Sequence, residues 1–173
     1  MTYSYSKENT HRKRRQCQGG GVMVWGFIMP NGLMAIKFVS NHFDSKEYID
    51  VLQNFALPLV RLNFRSIKWV QDNSRVHTSK VTQEYMKKNN MDLIKWPAMS
   101  PDINIMESGW KMISDIVYTG SQPENISELK QKIVQAVKQI NECKRDTVMH
   151  LYETMGQRIA SILQKKGAIY NEK

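Results

Sequence analysis

The sequence predicts an α/β domain, a mixed sheet flanked by helices. Two observations carry this. Short runs rich in β-branched and aromatic residues read as strands at Val22–Met29, Leu33–Val39, Ile67–Gln71 and Met91–Trp96. Between and after them stand segments whose apolar residues recur in steps of three and four, the period of one helical face. The resulting order is strand-strand-helix-strand-helix-strand-helix-helix-helix.

Composition bounds the rest. A chain of 173 residues that is 41% hydrophobic suits one domain with a sizeable core. No apolar run approaches the roughly 20 residues that span a bilayer, so no membrane partner is expected. The N-terminus is polar and basic without an apolar core segment, so no secretory signal is expected. Cys17 and Cys143 show no metal-ligand spacing, which makes a reducing intracellular compartment the default. A net charge of +9 and a pI near 9.6 favour a polyanionic partner, nucleic acid before a membrane surface.

Residues 1–18 are polar. Tyr3 and Tyr5 alternate with small polar residues, a short-strand pattern. Arg12, Lys13, Arg14 and Arg15 form a basic cluster, read either as a phosphate-contacting arm, as a nuclear address or as a solvated loop. Gly19-Gly20-Gly21 is a flexible joint. Pro30-Asn31-Gly32 is a turn that folds the first two strands into a hairpin. A helix begins near Ser45, taken as its N-cap. Tyr48, Val51, Leu52, Phe55 and Leu59 give it an apolar face, and Pro58 is expected to bend or end it.

The third strand delivers Asp72 at its C-terminal end, where ligands gather in α/β sheets. Thr78 or Ser79 caps the next helix, which runs to about Asn89. After the Met91–Trp96 strand, Pro97–Pro101 is a loop. Ile103, Met106, Trp110, Ile113 and Val117 then mark one helical face, begun by either Ser100 with Pro101 or Asn104. Two further helices carry Ile126–Ile140 and Val148–Ile162 as apolar stripes.

Two carboxylates frame the most informative stretch. Asp72 follows a strand, and Glu107 lies at the edge of an apolar helical face, where a carboxylate is costly unless paired. A divalent cation held by both acids would be such a partner. Asp-Asn after a strand is also a common turn, and a Glu beside an apolar stripe is also a partly solvated helix residue. Spacing alone leaves both readings open.

The motifs narrow them. Gln71-Asp72-Asn73-x-x-x-His77-Thr78-Ser79, then Trp96-Pro97, then Ser100-Pro101-Asp102-Ile103-Asn104-x-x-Glu107, resembles the catalytic core of Tc/mariner-superfamily DDE transposases, with 34 residues between the two acids as in the Tc-like branch. Gly19–Gly26 is similar to that family's glycine run and strand, and Gly167-Ala168-Ile169-Tyr170 to its usual ending. The resemblance implies a ribonuclease H-like fold of the integrase and transposase type. It divides the chain into a polar basic segment, 1–18, and a partial catalytic domain, 19–173. It implies DNA strand cleavage and transfer in transposition, in the nucleus, on transposon ends and target DNA, and leaves room for a homodimer. The implied cofactor is Mg²⁺ or Mn²⁺, held by Asp72 and Glu107 as the second and third acids of the family's three.

The first acid belongs to a strand upstream of the glycine run, and the chain is expected to begin too late to contain it. Glu8 does not match its surroundings. That strand is central in the family, between the hairpin and the Asp72 strand, so its loss is expected to leave unpaired edges. Arg75 and Ile105 stand where the family usually has proline. Asn73 and His77 are read as supporting or DNA-facing residues, with structural roles as the alternative. The competing function is a catalytically inactive, transposon-derived DNA-binding or interaction protein; a third is a basic α/β scaffold without a nucleic-acid role.

Overall fold

The structure is a computed structural model that describes residues 21–94 and 103–164. Strand β1 (Met23–Ile28) pairs antiparallel with β2 (Met34–Val39), in register from Met23 opposite Val39 to Ile28 opposite Met34. Side chains alternate across this hairpin, as the pleat requires. Trp25 and Phe27 face one helical layer, and Val24, Ile28, Ile36 and Phe38 face another.

The first layer is one long helical run. Helix α1 (Ser45–Val51) passes through a π-helical stretch, Leu52–Ala56, into α2 (Leu57–Asn63). Its N-cap is Asp44 rather than Ser45: the extended Asp44 backbone lets Oδ1 accept from the Lys46 and Glu47 amides at 2.9 and 2.8 Å. Pro58 does not end the run. The π turn closes with Leu57 N–H on Leu52 O, and Pro58 falls in the first turn of α2, where a missing N–H is tolerated.

Next come β3 (Lys68–Trp69), α3 (Arg75–Thr78), α4 (Lys80–Lys88, capped by Ser79) and β4 (Asp92–Leu93). The two strands pair in parallel, Lys68 opposite Asp92 and Trp69 opposite Leu93. β3 is shorter than the Ile67–Gln71 run in the sequence, and the last two residues of the expected Met91–Trp96 strand lie outside the described residues. Tyr48, Leu52, Ala56, Leu57, Met86 and Met91 close the core on this side.

The second layer is α5 (Ile105–Val117), α6 (Ile126–Cys143), α7 (Arg145–Glu153) and α8 (Met155–Gln164). The expected single helix over Val148–Ile162 is two, divided at Thr154, whose hydroxyl donates to the His150 carbonyl at 2.8 Å. Asn104 caps α5 by accepting from the Met106 amide at 3.1 Å. Asn141 on α6 acts as a mock strand neighbour to β2. Its amide accepts from Met34 N–H and donates to Met34 O, both at 2.9 Å.

Among the described residues the four strands form two separate two-stranded sheets, not one continuous mixed sheet. Residues 22–30 along β1 and 66–72 along β3 line a common cleft of about 860 Å³ between them. No described helix is long and apolar enough to cross a membrane. The alternating tyrosines, Glu8, Gly19 and Gly20, Trp96 with the Pro97–Pro101 loop, the Ser100-Pro101 alternative cap and the Gly167–Tyr170 ending lie outside the described residues.

Candidate active site

Helix α5 reaches the cleft because two glycines let it sit down on the hairpin. A Cβ on Gly109 would stand 2.7 Å from Met34 Cε, and one on Gly26 would stand 3.0 Å from the Trp110 ring. The helix thus turns Ile105, Gly109, Ile113 and Val117 into the core. Met106, Glu107 and Trp110 are left half-buried along the cleft. This refines the expected face. Ile103, Ile113 and Val117 of that face are buried, Met106 and Trp110 are half-buried along the cleft, and Ile105 and Gly109 join the buried set.

Asp72 arrives from the opposite wall, three residues beyond β3. Its Oδ1 is held twice, by His77 Nδ1 at 2.6 Å and by the Ser74 amide at 3.0 Å. The His77 hydrogen bond is the main reason that the Asp72 pKa falls to about 2, against the opposing effect of burial and with further help from the Ser74 amide. A carboxylate so acidic only accepts, so Nδ1 is the ring nitrogen that carries hydrogen. The His77 carbonyl in turn accepts from Gln83 Nε2 at 2.7 Å and Gln71 Nε2 at 3.2 Å. Thr82, fully buried, donates to the Val76 carbonyl at 2.7 Å, which ties α3 to α4. The short helix carrying His77 is therefore fastened on several sides.

Glu107 has the contrary environment. Burial pushes its pKa above the usual carboxylate range. Asp72 and Glu107 thus line one cleft from two different elements, one ionised easily and one reluctantly. In kind, this donor set suits a hard, oxygen-seeking divalent cation. Asp72 Oδ1 is oriented by protein hydrogen bonds, and burial disfavours the charged form of Glu107, which a cation in the cleft would offset. Among the described residues no third His, Cys, Asp or Glu joins them in a metal-holding cluster.

Of the other residues singled out by sequence, His77 lies against Asp72. Asn73 is exposed and borders a smaller pocket of about 190 Å³ with Gln71, Asp72, Thr78, Gln83, Leu93 and Ile94. Arg12, Lys13, Arg14 and Arg15 lie outside the described residues. Sequence reasoning missed Tyr48 and Gln71. Tyr48 was read as one more apolar residue on α1, yet its hydroxyl donates to Gln71 Oε1 at 2.7 Å and its ring lies 4.5 Å from the His77 ring. A tyrosine on a face of aliphatic residues was the available signal, since a buried hydroxyl needs a partner.

Comparison with known proteins gives a consistent answer. A family model described as DDE superfamily endonuclease matches residues 2–130. The chain is 32% identical over 163 residues to the transposable element Tc3 transposase of Caenorhabditis elegans, covering 93% of this chain and 49% of that protein. It is 29% identical over 150 residues to the Tcb2 transposase of Caenorhabditis briggsae, covering 86% of this chain and 54% of that one. The chain spans about half the length of the curated relatives it matches. Among solved structures, a Mos1 transposase catalytic domain with Raltegravir and Mg superposes with a TM-score of 0.73 at 12% identity, over 87% of this chain and 77% of that one. The Mos1 mariner paired end complex with Mn gives 0.73 at 14% identity, over 98% of this chain and 52% of that one. The fold is thus ribonuclease H-like, with its sheet represented here by two strand pairs.

Proposed function

The chain belongs to the DDE superfamily endonucleases, of the Tc/mariner transposase type, and from that membership we propose that it contributes the Asp72 and Glu107 side of a transposase site acting on DNA in the nucleus. The observation that carries this is that two carboxylates, one from the turn after β3 and one from α5, line one cleft. Asp72 and Glu107 would hold Mg²⁺ or Mn²⁺. The ion would supply charge stabilisation at the phosphorus and a more acidic attacking water or hydroxyl. The protein's own part is to fix the two acids: His77 and Ser74 orient Asp72, and the packing of α5 aims Glu107. The partner is DNA, at transposon ends and targets. The +9 charge supplies attraction to phosphates without base specificity. A pairing of two such chains, as in the Mos1 paired end complex, fits the same reading.

The test is Mn²⁺ titration followed by electron paramagnetic resonance, beside salt-dependent binding to duplex DNA. Saturable Mn²⁺ binding that Asp72→Ala and Glu107→Ala each abolish is the expected result, with DNA affinity falling steeply as salt rises. Mn²⁺ binding indifferent to both substitutions would overturn the metal assignment. With two metal-donor acids in the described site, this chain alone is expected to leave a labelled transposon end uncut. Cleavage that both substitutions abolish would show that a third donor completes the site, with Glu8 the first suspect.

A further inference from the structure

A buried hydroxyl lies behind Asp72. Tyr48 lies on α1, only 3% exposed, among Leu52, Ala56 and Met86. A phenylalanine would fill that space, and burying a hydroxyl without a partner is unfavourable. Here the hydroxyl has a directed bond. It donates to Gln71 Oε1 at 2.7 Å, and the other end of the Gln71 amide donates to the His77 carbonyl at 3.2 Å. The Tyr48 ring also lies 4.5 Å from the His77 ring, tilted by 46°. His77 then holds Asp72 Oδ1 at 2.6 Å. Tyr48 thus touches both the residue preceding Asp72 and the imidazole that orients it.

We propose that Tyr48 is a positioning residue for Asp72, its hydroxyl fixing the Gln71 end and its ring fixing the His77 plane. The proposal rests on the reading of Asp72 as a metal ligand. The geometry favours a rigid role. Helix α1 is capped by Asp44 and packed against β1 through Trp25, so Tyr48 is a fixed point from which the Asp72 turn is braced. Burial, and then the negative charge of Asp72, push the Tyr48 ionisation upward, so the hydroxyl remains a donor. Side chains that orient metal ligands typically change affinity by roughly tenfold or more when removed.

The experiment compares wild type, Tyr48→Phe, Gln71→Ala and the double variant, with Asp72→Ala as control. Mn²⁺ affinity is read at a temperature well below every melting transition. Tyr48→Phe should weaken Mn²⁺ binding by roughly tenfold while shifting Tm little. Adding Gln71→Ala should weaken it little further, because both substitutions break one chain of contacts. Wild-type affinity in Tyr48→Phe, or fully additive losses that track Tm, would overturn the proposal. A second readout needs no metal: solvent exchange of the His77 Nδ1 hydrogen, followed by nuclear magnetic resonance. Faster exchange in Tyr48→Phe supports the brace, and unchanged exchange counts against it. If Asp72→Ala binds Mn²⁺ as wild type does, the metal reading fails by itself, and this exchange measurement still decides whether Tyr48 positions Asp72.

Discussion

Asp72 and Glu107 line one cleft but are held by opposite means. Asp72 sits in a half of the molecule built from short strands and short helices, and it is fixed by polar contacts: His77, the Ser74 amide and the Gln71–Tyr48 relay behind them. Glu107 sits in a half built from a hairpin and longer helices, and the helix that carries it is seated by packing: Gly109 against Met34, Gly26 under Trp110, and Ile113 and Val117 in the core. The first method makes its acid easier to ionise and the second makes its acid harder. A hydrogen-bonded carboxylate is oriented before any ligand arrives. A desolvated one is driven towards whatever positive charge enters the cleft.

The comparison can be broken most severely on the packed side. Ile113 is 5% exposed and faces the same core as Ile140 and Val148. Ile113→Ala should cost about 2–5 kcal/mol. At roughly 2–4 °C per kcal/mol for a chain of this size, the loss is plain in a thermal melt. Mn²⁺ affinity should fall with it, because the seat of Glu107 loosens. Asn141→Ala comes next. It removes two hydrogen bonds to the Met34 backbone and exposes part of the β2 edge, for a loss of about 1–3 kcal/mol. The Asp72 network should be untouched, so exchange of the His77 Nδ1 hydrogen at low temperature should match wild type.

On the polar side the effect is smaller and depends on pH. The folded pKa of Asp72, about 2, lies below its ordinary 3.8. Its contribution is therefore complete above about pH 4 and lost as pH falls towards 2. Allowing for its partial exposure, the contribution is about 1–2 kcal/mol. Asp72→Asn should lower stability by that amount at pH 7 and by almost nothing near pH 2, as read by urea unfolding across pH. An equal deficit at both ends would mean that the loss comes from packing rather than from the ionised carboxylate.

The two halves also differ in how far the sequence announces them. Steps of three and four mark α5 and α6, and Asn104 is among the caps that the sequence offers. The periodicity marks the apolar face but not how deeply each residue is buried: Ile113 and Val117 are buried, whereas Met106 and Trp110 are half-buried. The strand before Asp72 is visible as a short apolar run, but its network is not. The Tyr48–Gln71 contact spans 23 residues, beyond the reach of any local pattern. Pro58 follows the same logic: the local rule predicts a bend or a stop, and the π turn before it carries the helix on. Asp44 and Ser45 are both good caps by type, and only the register of the first turn selects Asp44. Among the described residues the strands form two separate pairs, which no propensity in these residues announces.

The smallest effect gives the sharpest test, because its sign should reverse. Glu107 has a folded pKa above its ordinary 4.5, so its ionised form is disfavoured in the native state. That penalty is present above the folded pKa and vanishes as pH falls through the unfolded value. In metal-free buffer at pH 7, Glu107→Gln removes the charge, keeps the shape and should stabilise the protein. For a half-buried group that solvent still reaches, the gain should be under about 1 kcal/mol. With Mn²⁺ present the order should invert. Wild type gains stability by mass action, about 2.7 kcal/mol at a hundred times the dissociation constant, and the variant loses most of that gain. Thermal melts of the two proteins, with chelator and then with excess Mn²⁺, would therefore cross. Without a crossing, either the penalty at Glu107 is too small to matter or Glu107 does not hold the ion. A melt of Glu107→Gln at pH 4 separates these, since a real penalty would there have shrunk and brought the two metal-free proteins together.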